Sequence, residues 1–208
     1  MTLRGRIAIS PRSLREGVRA WWGARVEGPL VRLLVALGLS PNALTLLGLL
    51  LTAPSAYLCA TGRWTAAGLV YLLAGAMDLL DGALARRTGR ASRFGAFLDS
   101  LVDRAQEAGV LLGVVAFYAQ RGHTMGVLMT VLALTGSFLV SYAHARAEGL
   151  GVPSPQGGMM TRPERVLILA AGFLTGWLLP ALGVVAGLGI LTALHRAYEV
   201  WRATRGQR

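Results

Sequence analysis

Long apolar stretches alternate with short polar breaks along this chain. Apolar runs near 43–60, 64–77, 94–119, 124–143, 164–180 and 181–200 approach the ~20 residues that a helix needs to cross a hydrocarbon core. The pattern predicts an all-α, polytopic membrane protein with six transmembrane helices joined by short loops. Ahead of the first run, Leu14, Val18, Trp21, Trp22 and Val26 recur at helical spacing with Arg12, Arg15, Arg19 and Arg25 between them. That spacing predicts an N-terminal amphipathic helix lying in the headgroup region, anchored by its tryptophans. Residues 1–40 thus form a juxtamembrane segment, and 41–208 a six-helix membrane domain.

Local punctuation sharpens these boundaries. Ser10-Pro11 and Ser40-Pro41-Asn42 are cap-plus-proline signals for helix starts. Pro29 is expected to break the chain before Leu30–Leu39. Thr88–Ser92 reads as a polar turn around Gly89, residues 148–162 as the longest loop, and Pro180 as the turn between the last two spans.

Composition changes the picture in one respect. Hydrophobic residues make up 54% of the chain, yet the net charge is +11, and all 21 basic residues are arginine. Aromatic residues do not interleave with the arginines, which argues against nucleic acid as a partner. The arginines gather instead at alternate ends of the apolar runs. Arg4 to Arg32 precede the first, Arg86 to Arg93 follow the second, Arg146 to Arg165 follow the fourth, and Arg196 to Arg208 end the chain. By the positive-inside rule, both termini and the Arg86–Arg93 turn are expected on the cytoplasmic side of a cell membrane. Cys59 is the sole cysteine; its apolar surroundings predict a packing role, and no intrachain disulfide can form. His123 and His195 show no partner by spacing and read as structural.

The chemistry concentrates in four aspartates, which are all the chain contains: Asp78, Asp81, Asp99 and Asp103. An ionised group at the end of an apolar span is costly and marks a functional site. Asp78 and Asp81 are three residues apart and Asp99 and Asp103 four apart, so each pair shares one helix face. A turn of roughly seven or eight residues would let the two faces oppose. Carboxylates gathered in this way repel unless cations neutralise them, and hard oxygen ligands favour Mg²⁺ or Mn²⁺, with room for two ions. The alternative, surface pairing with Arg86, Arg90, Arg93 or Arg104, does not account for four aspartates at this spacing and none elsewhere.

The stretch Asp78-Leu-Leu-Asp81-Gly82-Ala-Leu-Ala85-Arg86, eight residues, then Gly95-Ala-Phe-Leu-Asp99-Ser-Leu-Val-Asp103 resembles the signature of the CDP-alcohol phosphotransferase family at every fixed position. Such enzymes transfer a substituted phosphoryl group from a CDP-alcohol to a hydroxyl, within a six-helix fold that is usually a homodimer. The resemblance implies metal binding by Asp78, Asp81, Asp99 and Asp103, with Asp103 also the general base. It implies CDP-lipid binding, here CDP-diacylglycerol, by Pro41, Asn42, Ala43, Leu44, Thr45, Gly82, Arg86 and Ser92. Gly82 and Ala85 leave space for a nucleotide against the helix, and Arg86 offers its donors to phosphate.

A second segment bears on the acceptor. Ser141-Tyr-Ala-His144-Ala-Arg146-Ala-Glu148 and Thr161-Arg162-Pro-Glu164-Arg165 resemble the acceptor segments of bacterial phosphatidylinositol phosphate synthases, with His144 where those enzymes carry lysine. The resemblance implies that Ser141, His144, Arg146 and Arg162 or Arg165 bind the phosphate of a phosphorylated polyol, inositol phosphate. Glycerol 3-phosphate is the alternative acceptor. An unrelated reading, a divalent-cation transporter filtering through the aspartates, leaves Gly82, Ala85 and Arg86 without a role.

Overall fold

The computed structural model describes residues 25, 27–152 and 160–205. The expected amphipathic helix through Leu14 and Trp22, and most of the 148–162 loop, lie outside the described residues. Among the described residues the chain is all helical: α1 (Gly28–Ala36), α2 (Pro41–Ala60), α3 (Trp64–Thr88), α4 (Arg93–Gln120), α5 (Thr124–Gly149), α6 (Arg162–Thr175) and α7 (Leu178–Thr204).

Local chemistry explains where the helices start and stop. Ser40 Oγ accepts from the Ala43 amide at 3.2 Å to open α2, and Ser92 Oγ accepts from Gly95 N at 3.0 Å to open α4. Each satisfies an amide the first turn leaves without a partner. Thr161 and Glu164 form a reciprocal capping box on α6. Gly89, at φ 65°, closes α3 in the left-handed conformation that glycine adopts without a Cβ clash. The α3–α4 turn is therefore only Gly89–Ser92, tighter than the spacing suggested, because the helix runs on past Arg86 to Thr88. His123 has a partner after all: its Nδ1 accepts from Gly126 N at 2.9 Å and caps α5. His195 Nε2 lies 3.5 Å from Glu199. Two prolines act differently from the expectation. Pro29 sits in the opening turn of α1, and the last turn of the fold falls at Gly176 and Trp177 with Pro180 inside the first turn of α7. A first-turn proline lacks only an N–H that the helix would not have used.

The helices α2 to α7 close into a ring, in the order α3, α2, α4, α5, α7, α6 and back to α3, with α1 laid on α3. Glycines set the closest approaches. A Cβ on Gly113 would fall 2.9 Å from the Ala56 Cα of α2, and one on Gly136 only 3.2 Å from the Ile190 amide of α7. Small residues allow this backbone proximity between helices that have no water to squeeze out. One half of the ring interior is apolar, built from residues such as Val110, Val114, Leu169, Phe173, Leu182 and the buried Cys59. The other half, where α2, α4 and α6 begin and α3, α5 and α7 end, is polar.

The outer surface argues for lipid. Leu50, Leu69, Leu112, Leu128, Leu191 and Leu194 are each at least half exposed, a band too large for an ordinary water-facing surface. Among the described residues four helices, α2, α3, α5 and α7, are long and apolar enough to cross a membrane; the protein is a membrane protein. The remaining two of the six expected spans differ. The opening turns of α4 carry Arg93, Asp99, Asp103, Arg104 and Glu107, and the 14 residues of α6 reach only ~21 Å at 1.5 Å per residue.

Candidate active site

The tight α3–α4 turn and the helical spacing bring the aspartates together as expected, but not as one equivalent set. One carboxylate oxygen from each of Asp78, Asp99 and Asp103 lies within 4.8 Å of the others. Asp81 stands outside that trio and accepts a 2.6 Å hydrogen bond from the Thr45 hydroxyl of α2.

Arg162 of α6 reaches into the trio from across the ring. Its Nη1 pairs with Asp78 Oδ2, and its Nη2 lies 2.9 Å from Asp103 Oδ1. That second contact is off-line, and Asp103 Oδ1 is left buried without a hydrogen bond. Nη2 also donates to Gln106 Oε1 at 3.0 Å. On its other oxygen, Asp103 meets Arg104 Nη1 at 3.4 Å, so the surface-pairing alternative describes one contact of one aspartate. A single guanidinium at the centre does not neutralise three carboxylates. An unsatisfied carboxylate oxygen and three hard donors at this separation fit a divalent cation of the Mg²⁺ or Mn²⁺ type.

Beside the trio lies a cleft of about 240 Å³, bounded by Asp81 and Asp99. Seven of the residues expected at the CDP-lipid line it: Pro41, Asn42, Thr45, Gly82, Ala85, Arg86 and Ser92. Leu44 instead packs with Val31, Ala83 and Leu84 in the small core beneath α1, and Ala43 is absent from the lining. Arg90, Ala91, Gly95 and Ala96 line the cleft without having been singled out. Gly95 was visible as a fixed position of the motif, and its reason is steric: a Cβ there would meet Ser92 Oγ at 3.0 Å and Asn42 Oδ1 at 3.3 Å. A Cβ on Gly82 would meet Arg86 Nη1 at 3.2 Å, so this glycine lets the guanidinium fold over its own helix.

The expected acceptor residues fall into three places. Ser141, His144 and Arg146 stand near the end of α5, where His144 Nε2 lies 3.5 Å from Glu148. Arg162 is on the carboxylates. Arg165 is only 3% exposed and forms a bidentate pair with Glu107 at 2.8 and 3.0 Å, which leaves it no open face toward a ligand. Two residues of α4 that sequence reasoning passed over, Gln106 and Glu107, are thus the partners of both α6 arginines. Their signal was available: they are polar residues within an apolar span, one helical turn beyond Asp103. Arg196 was counted among the anchoring arginines of the chain's end. It is buried, and donates to the Val140 carbonyl at 2.8 Å.

The sequence model of the CDP-alcohol phosphatidyltransferase family matches residues 38–195. An archaetidylinositol phosphate synthase of Pyrococcus horikoshii is 36% identical over 178 residues, 84% of this chain and 92% of that protein. The crystal structure of Mycobacterium tuberculosis phosphatidylinositol phosphate synthase with CDP-DAG bound superposes with a TM-score of 0.78 at 32% identity, covering 86% of this chain and 94% of that one. The same enzyme in complex with manganese and citrate also gives 0.78, at 31% identity over 85% of this chain and 89% of that one.

Proposed function

Because the chain belongs to the CDP-alcohol phosphatidyltransferase family, we propose that it transfers the phosphatidyl group of CDP-diacylglycerol to a hydroxyl of inositol phosphate, giving phosphatidylinositol phosphate and CMP. The observation that carries this reading is the juxtaposition of a nucleotide-sized cleft with the carboxylate trio. The names of its relatives favour inositol phosphate over glycerol 3-phosphate as acceptor. Family membership also removes the ground for a cation transporter.

Each residue's part follows from its chemistry. Gly82 and Gly95 leave the cleft open for the cytidine and pyrophosphate, and Arg86 and Arg90 supply positive charge to the phosphates. Asp78, Asp99 and Asp103, with Asp81 from the rim of the cleft, would hold two Mg²⁺ or Mn²⁺ ions. Bound there, the ions supply charge neutralisation at the transferred phosphorus and at the leaving phosphate. Asp103 accepts the proton of the acceptor hydroxyl as that oxygen bonds to phosphorus and the bond to CMP breaks. Thr45 holds Asp81 in place against the cleft. Ser141, His144, Arg146 and Arg162 receive the acceptor's phosphate, while Arg165 supports Arg162's helix through Glu107.

The arginine asymmetry supports six spans with this face on the cytoplasmic side of the cell membrane. A cysteine placed at Gly122 should then react with an impermeant thiol reagent in intact cells lacking Cys59, and one at Gly89 should not. The reading includes the family's usual homodimer.

The acceptor pocket gives the direct test. A hydrogen bond to a charged group contributes ~1.5–3 kcal/mol, so Arg146→Ala should raise the inositol phosphate requirement by roughly ten- to a hundredfold. The CDP-lipid requirement should hold, since the cleft is built on α2, α3 and α4. A change confined to the CDP-lipid requirement in steady-state CMP release would remove Arg146 from the acceptor site.

A further inference from the structure

We propose that Arg162 is the resident counter-cation of the metal-free carboxylates, that Gln106 positions it there, and that its side chain must withdraw before the trio can close on a divalent ion. This inference rests on the metal site proposed above. Arg162 occupies the space between Asp78 and Asp103, making contact with both. The chamber that Arg162 lines together with Tyr71, Asp103, Gln106 and Glu107 has a volume of only about 10 Å³. That is about one water's worth of room, too little to take in a displaced guanidinium, so the side chain has to leave the carboxylates as an ion enters. Two like charges at one set of carboxylates also repel, so occupancy by the ion and by the guanidinium compete.

Its present position is built rather than incidental. Gln106 is 5% exposed, and its Oε1 accepts from the guanidinium. Its amide nitrogen occupies the space above Gly48, where a Cβ would fall 2.7 Å away. The glycine of α2 therefore makes room for the amide that orients Arg162. The backbone beneath Arg162 is equally fixed. Thr161 and Glu164 cap the helix, and three residues on, Arg165 locks the first turn of α6 to Glu107 of α4. Withdrawal is thus a swing of the Arg162 side chain, with α6 staying in place. The freed donors are then available to the acceptor's phosphate, which makes metal loading the step that arms the acceptor site. By linkage, an ion and a phosphorylated acceptor that share this switch strengthen each other's binding.

The test is Mn²⁺ affinity, read from the free-ion electron paramagnetic resonance signal with the purified full-length protein in detergent. Removing the competitor in Arg162→Ala should tighten Mn²⁺ about tenfold, the scale of one charge-assisted hydrogen bond surrendered on ion entry. Arg162→Lys keeps the charge, but its single ammonium cannot span Asp78, Asp103 and Gln106 together. It should therefore also tighten Mn²⁺, by at least about threefold. Unchanged or weaker Mn²⁺ binding by Arg162→Ala overturns the inference. So does a Lys variant that matches wild type while the Ala variant tightens, because net charge would then suffice. Asp99→Asn separates this from the underlying site: it should lose most Mn²⁺ binding. If it binds as wild type does, the metal assignment fails, whatever Arg162 does.

Discussion

Asparagine at position 103 should lower CMP release by about a thousandfold or more, while CDP-lipid binding stays within about threefold of wild type. A positioned general base contributes on the order of 10²–10⁴ in rate, and asparagine has no lone pair basic enough to take the hydroxyl proton. The structure separates the two measurements. Asp103 contributes to the trio and to the chamber near Gln106, whereas the cleft is lined by Asp81 and Asp99 together with residues of α2, α3, the α3–α4 turn and the start of α4. Binding of CDP-lipid can therefore persist when the base is gone. Single-turnover CMP release beside equilibrium CDP-lipid binding reads both quantities. Near-normal turnover by Asp103→Asn would move the base elsewhere.

Removing Glu107 should produce the largest loss of stability of any change near the site. Its partner Arg165 is 3% exposed and held through two donors, so Glu107→Ala leaves a charge in the ring interior with nothing opposite it. Breaking a buried pair from one side costs about 3–5 kcal/mol, and thermal unfolding in detergent should shift down accordingly. Replacing both residues, as Glu107→Leu with Arg165→Leu, should recover much of the loss, because the cost arises from the orphaned charge. A Glu107→Ala protein that melts within a degree of wild type would mean that Arg165 finds water, and the ring interior would be wetter than its packing implies.

Much of this was legible in the order of residues. The helix start at Ser40 follows from a hydroxyl that caps an amide three residues away; such a signal is local and survives any tertiary arrangement. The aspartate spacing carried the pairing of two helix faces for the same reason. What was not legible depends on how six helices close into a ring. Asp81 and Thr45 are 36 residues apart and meet only because α2 lies against α3. Glu107 and Arg165 are 58 apart and meet only because α6 fills the gap in the ring beside α3. The alternation of arginines along the chain identifies a membrane face but does not tell a surface anchor from a buried donor. Arg165 was accordingly read as a candidate phosphate ligand and Arg196 as part of the basic chain end, and both are buried. Pro180 marked a turn by composition, but the left-handed Gly176 supplies it two residues before α7 begins.

The proposed reaction is metal-dependent transfer to an acceptor that already bears a phosphate. It is tested most directly by CMP release from CDP-diacylglycerol, using the purified protein with inositol phosphate, free inositol and glycerol 3-phosphate, each with and without Mg²⁺ or Mn²⁺. Release should require a divalent ion and inositol phosphate together, with free inositol at least about tenfold poorer because the arginine donors go unused. Release that proceeds equally with free inositol, or that persists after the metal has been chelated away, would contradict it.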